Sequence, residues 1–224
     1  IALTDERAQV TSTIARRLAH EIRNAVTELS TMQQLIPERM EEPEFRDTLQ
    51  VSLRSHTTRI TRLSDQLSYI TGDRESAGQK VLIRDALAAA VENASHYTVT
   101  SNHPSVEADL PAVSVTVDRS ALLCALTEII INAFQANPTD PKLRVSCRLE
   151  QETILLGFSD NGAGFTKEGS KRATEAYFTT RIVGLGLGLA VAETIIKRLG
   201  GNLHIYERSQ NGFADVTLSL PISS

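Results

Sequence analysis

The sequence lacks tryptophan and has few aromatic residues, no excess of basic charge and no long hydrophobic run. Aromatic side chains make up 4% of the 224 residues while apolar residues make up 41%, so any core must be largely aliphatic. The formal net charge of −4 argues against a broad nucleic-acid-binding surface, because such surfaces are normally basic. No apolar run approaches the roughly 20 residues of a membrane span. The length allows one large domain or two modest ones.

Cysteine is also scarce. Cys124 and Cys147 show neither the spacing of a metal site nor that of a disulfide framework, and each lies in an apolar periodic run. We therefore expect both to be reduced core residues.

The chain begins with Ile1 instead of methionine, from which we expect it to be part of a longer protein. We expect this part to be cytoplasmic, with any membrane anchor in a missing N-terminal region.

Two heptad seams predict a pair of long helices at the start of the chain. Pro37 should stop or bend the first helix, and Pro43 suits the first turn of the second, which should end at residues 71–73. The first seam is Ala15, Leu18, Ile22, Ala25, Leu29, Met32 and Ile36, and the second is Leu49, Leu53, His56, Ile60, Leu63, Leu67 and Ile70. We predict an antiparallel hairpin, two copies of which would form a four-helix bundle in a homodimer.

The heptad register separates two histidines of the hairpin. With Ala15 at position a, His20 falls at f, farthest from the seam, whereas His56 falls at d, inside it. A histidine in a seam is ordinarily packed against its neighbours, while one at f is chemically available. His20 is followed directly by Glu21 and, one helical turn later, by Asn24, so the three can share one patch. An ordinary surface histidine is the alternative interpretation of His20.

Two glycine clusters flank a polar segment of the C-terminal half and predict a nucleotide site. Glycine lets backbone pass close to a ligand, and a glycine run that opens a helix leaves N–H groups suited to phosphate. An ordinary loop with glycine turns is the alternative. Neither a P-loop nor the G-x-G-x-x-G fingerprint is present. The glycines are Gly162 and Gly164 in D-N-G-A-G, and Gly184, Gly186 and Gly188 in G-L-G-L-G-L.

Polar side chains on a predicted helix and strand accompany these glycines. Asp118 suits the N-cap of an apolar helix that carries Glu128 and Asn132, four residues apart on one face. An amide oxygen is a suitable single ligand for Mg²⁺, which takes its other oxygens from phosphates and water. A hairpin of strands at 143–149 and 153–159 should deliver Asp160 at a strand end.

The remaining patterns complete a predicted mixed α/β unit. A strand should begin at 81–83 and an alanine-rich helix should span 84–93. Further strands are expected at 96–100 and around Val115, and a closing hairpin around Q-N-G near the C-terminus.

The motifs, taken in order, resemble those of sensor histidine kinases. The sequence L-A-H-E-I-R-N resembles their phosphoacceptor box, especially of the nitrogen-regulation type. The stretch L-T-E-I-I-I-N-A-F-Q-A-N resembles the N-box of the gyrase, heat-shock-chaperone, histidine-kinase and MutL superfamily, which has the Bergerat fold. D-N-G-A-G and G-L-G-L-G-L resemble its two glycine boxes, and Phe178, Thr179, Thr180 and Arg181 resemble the lid segment of histidine kinases.

Two positions depart from the family pattern. Ala25 stands where the family usually has a proline that bends the helix, so this helix should be straighter. Gln135 stands where many relatives carry a lysine or arginine, so a basic phosphate contact from this helix is missing. Lys167, Lys171 or Arg181 in the lid could replace it.

The resemblance implies an α+β architecture with two functional domains joined by a linker. Residues 1–74 would form the dimerisation and phosphoacceptor domain, 75–80 a linker, and 81–224 an ATP-binding α/β sandwich with a mixed sheet and helices on one face. The implied reaction is autophosphorylation of His20 by MgATP, followed by transfer to an aspartate of a response regulator. Glu21 would accept the proton lost as the P–N bond forms, and Asn24 would position water for dephosphorylating the regulator.

The resemblance also assigns roles in the nucleotide site. Asp160 would read the exocyclic amine of adenine, Asn132 would bind Mg²⁺, and Glu128 would belong to the Mg²⁺ or water network. Two other functions stay open. The chain could be an ATP-binding phosphotransfer or regulatory scaffold, or an ATPase clamp or serine kinase of the same superfamily.

Overall fold

The structure, a computed structural model, describes residues 2–71, 77–98, 100–173, 187–207 and 214–222. It contains two compact units, Ile1–Asp73 and Arg74–Ser224, which are described separately below. Within the described ranges, none of the helices has both the length and the hydropathy that crossing a bilayer requires.

The N-terminal unit is a helical hairpin, as the two seams predict. Helix α1 spans Ala2–Arg39 and packs along α2, which spans Pro43–Thr71. Pro43 opens α2, where its missing N–H would have no partner in the helix. Pro37 does not stop α1 at once, because a proline close to a C-terminus sacrifices few hydrogen bonds, and the N–H of Met40 still donates to the carbonyl of Ile36 at 3.0 Å.

The short connection between the helices is held by an ion pair. Arg39 Nη2 donates to Glu42 Oε2 at 2.7 Å, and the guanidinium also lies 5.1 Å from the centroid of the Phe45 ring. The hydrogen bond from Arg39 holds the pKa of the Glu42 carboxyl below its ordinary value. The two helix ends are therefore tied by side chains as well as by backbone.

The seam of this hairpin differs in part from the predicted one. On α1 the buried positions step by four, three and four, through Ile14, Leu18, Glu21 and Ala25. On α2 the buried residues are Phe45, Leu49, Leu63, Gln66, Tyr69 and Ile70. The predicted seam residues Ala15 and Ile22 are only half-buried, and Leu53 is 44% exposed. One helix covers only one face of its partner, so part of each predicted apolar stripe is left uncovered in the single chain.

The C-terminal unit is a mixed sheet with helices, confirming the predicted fold class. Its elements are β1 Gln79–Leu82, α3 Ile83–Tyr97, β2 Ser105–Asp109, β3 Ser114–Val117, α4 Arg119–Ala136, β4 Lys142–Glu150, β5 Thr153–Asp160, α5 Lys167–Arg172, α6 Gly188–Arg198, β6 Asn202–Ile205 and β7 Ala214–Pro221. Five strands form one sheet in the order β2-β4-β5-β7-β6, and β1 pairs with β3 in a small second sheet. The pair β2–β4 is parallel, while the other pairs of the large sheet are antiparallel.

The core of this unit lies between one face of the large sheet and the helices. Along β5, every second side chain is buried: Ile154, Leu156, Phe158 and Asp160. This alternation is expected when one sheet face is covered, since side chains of a strand point to opposite faces in turn. Helix α4 packs against α3, α6 and the strands β4 and β5, and most of its side chains are buried.

Three details of the sequence-based assignment are wrong in this unit. The strand predicted at 96–100 is not formed, because α3 continues to Tyr97 with Ala94 fully buried on its apolar face. Ile83 begins α3 instead of belonging to β1. Strand β2 was not predicted, since its side chains are almost all exposed and show no apolar alternation. Its identity as a strand comes from pairing with the distant β4.

The two cysteines are half-buried and not fully inside the core. Burial raises the pKa of the Cys147 thiol above its ordinary value, which disfavours the reactive thiolate.

Candidate active site

The structure places His20 on the exposed side of α1. Its side chain is 54% exposed, and its Nδ1 atom lies 3.2 Å from Asn24 Nδ2 and 3.8 Å from Glu21 Oε1. Both recorded contacts involve the same ring nitrogen. By contrast, His56 is half-buried, with its Nδ1 3.3 Å from Glu28 Oε2 across the seam. The two histidines therefore differ in exposure as the heptad register predicts.

Glu21 lies in the seam, and not on the outer face of α1 with His20. It is 4% exposed. Its Oε2 accepts a hydrogen bond of 2.8 Å from Arg59 Nη2 on α2, while its Oε1 is 3.3 Å from Arg17 Nε on its own helix. The sequence analysis missed both arginines. Arg17 could have been found, because it lies four residues before Glu21, but Arg59 could not be paired without knowing the register of the two helices.

In the C-terminal unit, Asp160 ends β5 and is 3% exposed. Its Oδ1 accepts the backbone N–H of Gly162 at 2.8 Å, which turns the chain immediately after the strand. A Cβ atom at Gly162 would lie 2.3 Å from the Cβ of Ala136 at the end of α4. Gly164 follows with a φ of +74°, which favours glycine. This first glycine box is therefore packed tightly against α4.

The next residue of the motif, Asn161, was missed by the sequence analysis. Its Oδ1 accepts the N–H of Lys142 at 3.0 Å, and its Nδ2 donates to the carbonyl of Asp140 at 2.9 Å. These two bonds fix the end of β5 to the loop that precedes β4. An asparagine in a D-N-G sequence is a common turn residue, so the sequence motif does not indicate that Asn161 links β5 to the loop before β4.

Helix α4 carries the polar residues of the N-box. Asp118 caps it as predicted, its Oδ1 accepting from the N–H groups of Ser120 at 2.8 Å and Ala121 at 3.1 Å. Further along the helix, Glu128 is buried and Asn132 half-buried. Gln135, one turn after Asn132, is exposed.

Gly188, the last glycine of the second glycine box, meets the same face of α4. Gly188 is the first residue of α6, and a Cβ atom there would lie 3.0 Å from Glu128 Oε2. Among the residues that the structure describes, no capping side chain binds the first N–H groups of this helix. Glu128 and Ala136 are eight residues apart, or about 12 Å along α4 at the usual rise per residue. Gly162 and Gly188 thus contact one helix face, with Asn132 midway between the two contacts.

Six of the predicted site residues lie outside the described residues. They are Phe178, Thr179, Thr180, Arg181, Gly184 and Gly186, so the lid assignment stays a prediction.

Comparison with known families identifies the C-terminal part. Residues 117–224 match the family described as histidine kinase-, DNA gyrase B- and HSP90-like ATPase. Among curated proteins, the chain is 26% identical to the nitrogen regulation protein NtrY of Azorhizobium caulinodans, over 97% of this chain and 30% of that protein. It is 28% identical to the signal transduction histidine-protein kinase AtoS of Escherichia coli K12, over 97% of this chain and 36% of that protein. The chain thus spans about a third of the length of these relatives.

Solved structures agree on the fold. The histidine kinase AdeS of Acinetobacter baumannii superimposes with a TM-score of 0.65 at 20% identity, covering 92% of this chain and 98% of that chain. The histidine kinase ThkA, solved in complex with the response regulator protein TrrA, gives a TM-score of 0.67 at 18% identity, covering 98% of this chain and 64% of that chain.

The fold and the arrangement of Gly162 and Gly188 on α4 define an ATPase-type α/β domain preceded by a helical hairpin. Several sequence relatives that cover nearly the whole chain, AtoS among them, are named as histidine kinases. Residues 117–224 therefore belong to this ATPase family, and the likeness of nearly the whole chain to histidine kinases confirms the resemblance drawn from the motifs.

Proposed function

We propose that the chain uses MgATP to phosphorylate its own His20 and passes the phosphoryl group to an aspartate of a response-regulator receiver domain. The observation that carries this proposal is the pair of sites described above. One unit exposes an imidazole that is contacted at a single nitrogen. The other places a buried carboxylate and the close-packed glycines Gly162 and Gly188 along one helix.

Asp160 would select adenine. A carboxylate accepts hydrogen bonds only, and adenine offers an exocyclic NH₂ donor where guanine offers a carbonyl acceptor. Guanine would leave two acceptors facing each other in a buried site, which is costly. The hydrogen bond from the N–H of Gly162 supports this role, because it holds the carboxylate of Asp160 in one place at the end of β5.

The phosphates would lie toward the beginning of α6. The N–H groups and the positive dipole end of this helix, opened by Gly188, suit an anion. Asn132, half-buried on the facing helix, would supply one oxygen ligand to Mg²⁺, whose remaining ligands come from phosphate and water. Glu128 would belong to the same metal or water network.

The amide nitrogen of Asn24 can only donate to Nδ1, so the reaction requires this amide to turn and present its Oδ1. His20 can then carry its proton on Nδ1, which leaves the electron pair of Nε2 free as the nucleophile. The electron pair of Nε2 forms a bond to the γ-phosphorus, the bond from that phosphorus to the bridging oxygen breaks, and ADP departs with the electrons of the broken bond. The proton on Nδ1 then passes to a base, for which Glu21 Oε1 at 3.8 Å is the nearest recorded carboxylate oxygen. Catalysis beyond this consists of positioning and neutralisation of phosphate charge.

The partners would be a second copy of the chain and a receiver domain. Apolar side chains on the hairpin are exposed in the single chain, among them Val26, Val51 and Leu53. Two hairpins could bury them in a four-helix bundle. A monomer in light scattering at micromolar concentration would count against this dimer. The receiver-domain partner is supported by the likeness to ThkA, whose structure contains a response regulator. Phosphatase activity toward that partner would depend on Glu21 and Asn24.

Incubation with γ-labelled ATP and Mg²⁺ tests the proposal. Label that is labile in acid and stable in base should appear in the wild type and disappear in His20→Ala. A matched variant, His103→Ala, removes an exposed histidine of the other unit and should label normally. Label that persists in His20→Ala would remove this residue from the mechanism.

The same experiment separates the two other functions. ATP binding without any label would favour a regulatory scaffold. Acid-stable phosphoserine would favour a serine kinase.

A further inference from the structure

Glu21, Arg17 and Arg59 form a charged cluster next to His20. The proposed reaction needs a base near His20, but it does not by itself require that the base be held by two arginines. Glu21 is buried in the hairpin, and its two carboxylate oxygens face different partners. Oε2 is bound by Arg59 Nη2 at 2.8 Å, from the opposite helix. Oε1 is 3.3 Å from Arg17 Nε and 3.8 Å from His20 Nδ1. One oxygen is thus held by α2, and the other lies within 4 Å of both Arg17 and the phosphoacceptor His20.

This arrangement fixes the direction of the carboxylate. A buried carboxylate is unfavourable unless it is paired, so its position follows that of its cationic partners. A guanidinium is planar and presents its N–H groups in a rigid fork, which makes it more directional than an ammonium group. Because Arg59 holds Oε2 from the α2 side, rotation of the carboxylate away from His20 would break a short charge-assisted bond.

We propose that Arg59 is a positioning residue for the phosphoacceptor reaction. In the tautomer of His20 that carries its proton on Nδ1, Arg59 holds Glu21 Oε2 so that Oε1 receives this proton when Nε2 bonds to the γ-phosphorus and ADP leaves. The distance of 3.8 Å is long for proton transfer, but such hydrogen bonds commonly tighten only in the complex with substrate. This inference rests on the proposed autophosphorylation of His20.

A purely structural role for Arg59 predicts a different outcome. Loss of a structural ion pair would destabilise the hairpin and affect every activity in proportion to the unfolded fraction. Loss of a positioning residue lowers the rate of the chemical step and leaves nucleotide binding unchanged, because the nucleotide site lies in the other unit. The two roles can therefore be distinguished by measuring the saturated autophosphorylation rate and the half-saturating ATP concentration separately.

The test compares Arg59→Gln, Arg59→Lys and the control Arg54→Gln, which changes an exposed arginine of the same helix. Autophosphorylation is measured in the whole chain over a range of ATP concentrations, with helix content checked by circular dichroism. We expect Arg59→Gln to lower the saturated rate at least about tenfold, since a general base contributes about 10²- to 10⁴-fold. The half-saturating ATP concentration should stay within about twofold. Arg59→Lys should recover part of the rate, and Arg54→Gln should match the wild type.

A second comparison tests whether the effect passes through Glu21. In a Glu21→Gln background, Arg59→Gln should cause little further loss, because the oxygen that it orients is no longer a base. A wild-type rate in Arg59→Gln, an equal loss in the Glu21→Gln background, or a raised half-saturating ATP concentration would each overturn the positioning role. If Arg59→Gln loses its helix content, Arg59→Lys decides: a reduced rate supports the role and a wild-type rate overturns it.

The outcome for the wild type distinguishes this inference from the function on which it rests. Absence of label on His20 in the wild-type chain would refute both. Normal label on wild-type His20 with no effect of Arg59→Gln would refute only the role of Arg59.

Discussion

Replacing Gly162 by alanine should damage the nucleotide site through a clash that can be read directly from the structure. The added Cβ would lie 2.3 Å from Ala136 Cβ, 3.0 Å from the Ala136 carbonyl carbon and 2.8 Å from Asp160 Oδ1. Carbon atoms normally approach to about 3.5 Å, so the end of β5 and the end of α4 would have to separate by roughly 1.2 Å. Neither contact with Ala136 is a flexible side-chain end that could swing away.

The magnitude follows from the cost of overpacking. Inserting a methyl group into a packed site costs about 1–3 kcal/mol. If the strain is relieved by displacing Asp160, the same free energy is lost from ATP binding, which corresponds to roughly a 5- to 150-fold weaker affinity. We expect titration calorimetry with a non-hydrolysable ATP analogue to show this loss.

A matched substitution provides the control. A Cβ atom at Gly78 would meet its nearest neighbour, Thr116 Cγ2, at 3.4 Å, so Gly78→Ala should bind the analogue as the wild type does. Wild-type affinity in Gly162→Ala would refute the reasoning, because it would mean that the first glycine box does not shape the nucleotide site.

Three further predictions concern stability. Leu18 is fully buried in the hairpin, and Leu18→Ala should destabilise it by about 2–5 kcal/mol in denaturant unfolding; a loss below 1 kcal/mol would contradict the observed seam. Asp118→Ala should cost the C-terminal unit about 1 kcal/mol through the lost N-cap, whereas Asp118→Asn should keep most of it; equal losses would exclude capping. Arg39 lowers the pKa of Glu42, so their pairing should stabilise the hairpin above the ordinary carboxyl pKa and be lost as pH falls through the lowered value. Titration of Glu42 by NMR should move back toward the ordinary value in Arg39→Gln, and an unchanged titration would contradict the pairing.

The parts of the structure that the sequence predicts well are those set by local chemistry. Pro43 begins a helix because its ring suits a first turn, and Asp118 caps a helix because its carboxylate reaches the first N–H groups. The hairpin of β4 and β5, which brings Asp160 to a strand end, was evident from two short apolar runs around a polar turn.

The parts that were missed depend on contacts between distant residues. Hydrophobicity alone assigns Ile22 to the seam and leaves Glu21 outside, but in the structure Glu21 is inside because Arg59 reaches it from the other helix. In the same way, β2 shows no apolar alternation and exists as a strand through its pairing with β4. A sequence pattern alone identifies neither Arg59 as the partner of Glu21 nor β4 as the partner of β2.

The local preference of residues for extended structure also gave a wrong prediction at the end of α3. The β-branched residues at 98–100 favoured a strand starting at His96. The helix instead continues to Tyr97, since Ala90 and Ala94 extend its buried face. Burial in the packed unit overrides a weak local preference for extended structure.

The most direct test of the account is to locate the phosphoryl group after the whole chain has reacted with MgATP. Fragmentation mass spectrometry under neutral or basic conditions should find it on His20 in the wild type. It should be absent from Asp160→Asn, in which the acceptor facing adenine is changed while the fold of both units, followed by circular dichroism, is kept. A phosphoryl group on another residue, or the same yield on His20 in the Asp160 variant, would contradict the claim that a nucleotide site built around Asp160 phosphorylates His20.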